Sequence, residues 1–69
     1  MDWSKLVGET VLVKPTPYCI EKYKLIVEDF DGKFIKFEGD SIWHSADSVE
    51  LFQIYKSDKY PNGWYSTIK

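Results

Sequence analysis

The run His44-Ser45-Ala46-Asp47 sets an imidazole, a hydroxyl and a carboxylate within four residues. Those are the groups of a nucleophile, its base and an orienting acid. Nucleophilic catalysis needs them to converge in space, however, and adjacent side chains on a strand point to opposite faces. The run therefore reads as a turn whose Ser and Asp side chains bond their own backbone, with His44 at the surface. His44 with Asp40 or Asp47 would make at best a loose metal site, one imidazole among hard carboxylates, and a solvated loop is the simpler reading. Cys19 lies between Tyr18 and Ile20, with no adjacent His or cluster of cations to activate its thiol. It is expected to be a small hydrophobe, buried or half-buried. Gly8, Gly32, Gly39 and Gly63 are each isolated at a turn and form no phosphate-cradling loop. No catalytic set, metal or cofactor is expected, and the chain reads as a non-enzyme.

Aromatic residues remain as the candidates for recognition, since large aromatics dominate both cores and interfaces. Trp43 is expected in the core, and Trp3 at one end of it. Phe30, Phe34, Tyr60, Trp64 and Tyr65 are the candidate protein-binding anchors, with neighbouring Lys and Glu as a polar rim. The competing expectation is that the C-terminal aromatics fold back over Ile26 and Phe34 as a lid.

These residues must be positioned by a chain of 69 residues, 43% hydrophobic and 17% aromatic. That composition argues against disorder, and the length argues for one domain, 1–69, whose single core supplies only ~3–5 kcal/mol of net stability. One Cys allows no internal disulfide and no thiolate cluster, so packing alone must hold the fold, and a reducing, cytoplasmic setting is expected. The first residues lack the basic stretch and long apolar run expected of a secretion signal, and no segment approaches the ~20 apolar residues of a membrane span. The formal net charge is −2, with no like-charge block to steer a charged partner. All nine basic residues are Lys. Lacking the bidentate fork of Arg, the chain is disfavoured as a sequence-specific nucleic-acid binder.

Asp2 can cap a helical turn over Trp3 to Val7, ended by Gly8. Strands are expected over Glu9–Lys14, Tyr23–Glu28, Lys33–Glu38, Ser41–His44 and Val49–Tyr55, with Ser45–Ser48 as a turn or one 3₁₀ turn. The last residues form a tail or a hairpin around Pro61-Asn62-Gly63. The central hairpin has two candidate registers. A two-residue Asp31-Gly32 turn mixes charge with hydrocarbon on both faces. A three-residue loop, Phe30-Asp31-Gly32, pairs Val27 with Ile35 and Leu25 with Phe37, with Gly32 at the left-handed position. This second register is the expected one. It gathers Tyr23, Leu25, Val27, Ile35 and Phe37 inside and turns Ile26, Phe30 and Phe34 outward.

The segments "GETVLVK", "YKLIVEDFDGKFIKF" and "WHSADSVELF" resemble, in that order, an SH3-like or Tudor-like small barrel, from Gly8 to Phe52. The resemblance implies an all-β, five-stranded SH3-like barrel with a short N-terminal helical turn and a C-terminal hairpin or tail. A 3₁₀ turn would lead into the closing strand, and closure would protect the sheet edges. Signalling SH3 domains use an aromatic-rich first strand and loop and a Pro-Ser-Asn-Tyr-type turn. This chain has "LVKPTPY" and "SADS" there, so proline-rich ligands are not expected. A Tudor-like aromatic cage could draw on Trp43 or Tyr18.

The function expected from these features is non-catalytic protein binding by a small regulator or inhibitor, of the kind carried by phages or mobile elements. Its protein partner is unidentified, and the chain itself is expected to be a monomer or weak homodimer. The alternative is a nucleic-acid-associated barrel, with aromatics stacking on bases and Lys24, Lys33, Lys36, Lys56 and Lys59 meeting phosphates.

Overall fold

The computed structural model of the protein describes residues 2–65, and of Tyr65 the backbone only. A 3₁₀ turn over Trp3–Leu6 opens the chain, followed by strands β1 (Thr10–Lys14), β2 (Tyr23–Phe30), β3 (Phe34–Phe37) and β4 (Trp43–Ser45). A second 3₁₀ turn, Ala46–Ser48, leads to β5 (Glu50–Ile54), and β6 (Trp64–Tyr65) ends the described chain. All neighbouring strands are antiparallel, in the order β4-β3-β2-β1-β5-β6. The all-β class, the 3₁₀ turn before β5 and the C-terminal hairpin agree with the sequence. The expected closure does not appear: β4 and β6 are the two ends of an open sheet. No described helix is long and apolar enough to cross a membrane.

The first 3₁₀ turn is specified locally. Asp2 is extended and its carboxylate accepts from the Ser4 N–H at 3.1 Å, satisfying one of the donors a helix start leaves free. The turn is too short to persist alone, and it holds because Trp3 and Leu6 are buried. They join Val11, Val13, Val27, Ile35, Phe37 and Ile54 in one cluster. Each such side chain contributes roughly 1.5–3 kcal/mol on burial. Against a small net stability, no single member is dispensable.

β2 serves two ladders in succession. Tyr23 to Ile26 lie opposite Val13 to Thr10 of β1, and Val27 to Phe30 pair with β3. The ladder to β3 corrects the expected register. Val27 lies opposite Phe37 and Phe30 opposite Ile35, with Glu28 as an extra residue between two shifted halves. The reversal is made at Gly32-Lys33, where the Asp31 N–H donates to the Phe34 carbonyl at 3.1 Å. The Asp31 carboxylate accepts from the N–H groups of Lys33 (2.8 Å) and Phe34 (2.7 Å), and Gly32 takes φ 108°. Asp31 thus turns the chain with its side chain, and Phe30 stays in the strand instead of the loop.

The bulge has a packing reason. Val27 is buried and Phe30 packs against the core, yet they stand three apart, and strict alternation would expel one of them. One extra residue restores the parity. β5 uses the same device: Val11 lies opposite Ile54 and Val13 opposite Leu51, leaving Phe52 as the extra residue. Ile54 and Leu51, again three apart, both reach the core. Phe30 is therefore half-buried, not an outward group. Tyr23, expected inside, is 45% exposed, because it lies beyond the reach of β3.

Two expected outcomes test this account. Deleting Glu28 should turn Val27 or Phe30 outward, a loss of roughly 1.5–3 kcal/mol that abolishes the cooperative thermal transition, whereas Glu28→Ala should keep it. Gly32→Val should lower stability by at least about 1–2 kcal/mol in a denaturant titration, since a β-branched residue resists positive φ.

Candidate functional site

The outer face of β3 and β4 carries exposed aromatic side chains brought together by strand pairing. Ile35 and Phe37 point into the core, so Phe34 and Lys36 point away from it. Lys36 lies opposite Trp43, and Phe34 opposite Ser45. Residues opposite one another share a face, which makes Phe34 and Trp43 a diagonal pair within reach for aromatic side chains. Phe34 is 42%, Ile42 62% and Trp43 40% exposed. Trp43 was expected in the core. The ladder instead sends His44, opposite the buried Ile35, to the inner face, where its ring centre lies 5.8 Å from that of Phe37.

The connection that sets Trp43 in place is held by Asp40. Its carboxylate accepts from the Ile42 N–H at 3.0 Å and meets His44 Nε2 at 2.9 Å. An ionised carboxylate can only accept, so Nε2 carries the hydrogen and donates. The His44 side chain, then the Ile42 amide, holds the Asp40 carboxyl below its ordinary pKa of 3.8. Beside Phe34 lies an open depression of about 300 Å³, lined by Gly32, Lys33, Phe34, Ser45, Ala46 and Asp47. The ion pair of Lys36 with Glu28 borders the aromatic pair and uses the side chain of the bulge residue.

The other predicted anchors are not gathered here. Tyr60 is half-buried against the core. It heads a turn in which the Gly63 N–H donates to the Tyr60 carbonyl at 2.9 Å. Trp64 is 38% exposed on β6, opposite Ile54, with β2, β1 and β5 between its strand and that of Phe34. The expectation for the Tyr65 side chain lies outside the described residues. No lid forms among the described residues, since Ile26 and Phe34 both stay exposed. The missed member of the site is Trp43. A signal for it was present: Asp40 two residues before Ile42 and four before His44 is a local clamp, and an inward His44 forces Trp43 outward.

A second surface lies on the outer side of β1, β2 and β5. Lys22 Nζ stands 4.4 Å and Lys14 Nζ 5.7 Å from the centre of the Phe52 ring, and Lys24 Nζ 4.6 Å from that of Tyr55. Lys24 and Lys56 line an open groove of about 460 Å³ with Thr10, Gln53, Tyr55 and Asn62. Of the other lysines named for phosphate contact, Lys36 is paired with Glu28, Lys59 donates to the Lys5 carbonyl, and Lys33 is on the hairpin.

His44, Ser45 and Asp47 do not converge, because Ser45 shares the outer face with Phe34 while His44 faces inward. Cys19 is half-buried, its Sγ 3.3 Å from Thr16 Oγ1. Among the described residues no group of three His, Cys, Asp or Glu is placed to hold a metal ion. Comparison of the chain with protein-family models, curated proteins and solved structures returned no match.

The Asp40 clamp has a pH signature. A carboxyl depressed in the folded state stabilises above its unfolded pKa, and that stability is lost as pH falls through the folded value. Asp40→Asn should therefore be less stable than the native chain at pH 7. The gap between the two denaturation midpoints should close progressively below about pH 3.8.

Proposed function

We propose that this protein is a non-catalytic protein-binding module, built on a curved, SH3-like small β fold, that docks through the outer face of β3 and β4. The observation that supports this reading is the diagonal pair of Phe34 and Trp43, both exposed on the outer face of β3 and β4, with the exposed Ile42 next to Trp43 along the chain. Scattered exposed hydrophobics need no explanation, but a contiguous apolar patch with a polar rim marks an interaction site. Trp and Phe supply large contact area at low entropic cost, and the Lys36–Glu28 pair with Asp40 forms the rim. β4 is an end strand of the sheet, three residues long, so the patch is open on its outer side.

Relative to the sequence expectation, the anchor set shifts. Phe34 remains and Trp43 joins it, while Phe30 and Tyr60 are engaged with the core. Trp64 stands apart from this set. A small regulator or inhibitor acting on another protein is the role this arrangement suits.

Phe34→Asp and Trp43→Asp should keep the native thermal transition, since both side chains point away from the core. Each should weaken capture of the partner from host extract by about thirtyfold or more, the loss of a central anchor worth at least about 2 kcal/mol. Glu21→Ala, in the exposed segment before β2 and away from this face, should leave capture unchanged. Loss of the thermal transition in both Asp variants would show them to be core residues and remove the basis for this reading.

A further inference from the structure

Charge is distributed unevenly over this acidic chain. From Glu28 to Asp47 there are six carboxylates and two lysines, a net of −4. The remainder has five carboxylates and seven lysines, a net of +2. The second group includes the lysines on the outer side of β1, β2 and β5. Lys24 lies opposite Leu12, which also lies opposite Gln53, so one row of the sheet runs Lys24, Leu12, Gln53. Lys14 lies two residues along β1 from Leu12 on the same side, and Lys22 extends the Lys24 side of β2. The groove beside this row contains Lys24 and Lys56 and no carboxylate. Among the described residues, none of these four lysines lies within ion-pair distance of a carboxylate. Glu50, opposite Lys14, and Glu21, next to Lys22, are the nearby acids in the ladder and the sequence.

We propose that this face is a second docking surface, and that its ligand is an acidic, carboxylate-rich segment of a partner protein. Charge complementarity selects an anionic ligand. The rings decide between two anionic macromolecules. A single-stranded nucleic acid needs free aromatic faces on which bases stack. Here the ammonium groups of Lys14 and Lys22 lie over Phe52 and that of Lys24 over Tyr55. The rings hold the lysine side chains in place and leave the ammonium groups, not π-faces, to meet a ligand. With lysine as the only basic residue type, the face meets an anion through point charges, and it is the occupied rings that favour a carboxylate-rich peptide over stacked bases. The surface is separate from the Phe34 and Trp43 patch and does not depend on it.

The test is a titration of the full chain, labelled for amide NMR, with a twelve-residue peptide of alternating Glu and Leu. The same-length Lys-Leu peptide and a thymidine oligonucleotide of equal charge run in parallel. The Glu peptide should shift the amides of Lys22, Lys24, Gln53, Tyr55 and Lys56, and its affinity should fall roughly tenfold when salt rises from about 50 to about 300 mM. Lys24→Gln and Lys56→Gln should each weaken it roughly threefold or more, and Lys33→Gln should not. Because the native chain maps the site, a poorly folding variant leaves the test intact. Absence of shifts at millimolar peptide, shifts confined to other faces, or equal response to the Lys peptide would overturn the proposal. Tighter binding of the oligonucleotide would replace it with the nucleic-acid reading.

Discussion

The parity of two strands governs the structure. A strand alternates its side chains strictly, and both β2 and β5 carry core residues three apart: Val27 and Phe30, Leu51 and Ile54. A protein this small has no surplus core from which to lose one of each pair. One unpaired residue in each strand resolves the conflict, and the two residues so freed become surface features. Glu28 forms the ion pair with Lys36 beside the aromatic patch, and Phe52 receives Lys14 and Lys22. Bulges that serve packing have in this way placed side chains on both exposed faces. The extra twist they bring also bends β2 from one ladder to the next.

The same economy explains why the exposed aromatics stand out. The core is closed at its end by Trp3 and Leu6 from a single 3₁₀ turn and flanked by half-buried Leu25, Leu51 and Tyr60. Trp43 could have added substantially to the burial of such a core. The chain instead puts His44 inward, tied to Asp40, and leaves Trp43 outside. A marginally stable domain that leaves a tryptophan and a phenylalanine partly exposed side by side forgoes burial that it could use. That unused burial is what the proposed docking role rests on.

Much of the fold was legible from local chemistry. Asp2 and Gly8 delimit the first turn, Pro15 and Pro17 follow the end of β1, Ser45 to Ser48 make the second turn, and Pro61-Asn62-Gly63 mark the last hairpin. Each depends on residues within a few positions of one another, so each can be read in order along the chain. The register of the β2–β3 hairpin could not be read in this way. Counting loop residues gave Phe30 to the turn, but the Asp31 side chain took over the hydrogen bonds of the turn and Phe30 packed against the core. A loop of Phe30-Asp31-Gly32 would close the hairpin without a bulge, so nothing in the hairpin's own sequence demands one.

The sequence by itself determined the class of object: an all-β domain too small for a second core, punctuated by glycines and prolines, with lysine as its one cationic side chain. Composition and short-range hydrogen bonding suffice for that. Tertiary structure alone decided which aromatics face solvent, whether the sheet closes, and which lysines stand together. Those outcomes depend on pairing between strands distant in sequence, where one inserted residue inverts every side chain beyond it. Trp43 shows the point most clearly. Its apolar character was plain from the start, but its direction was set by the pairing of His44 with Ile35 across the strand.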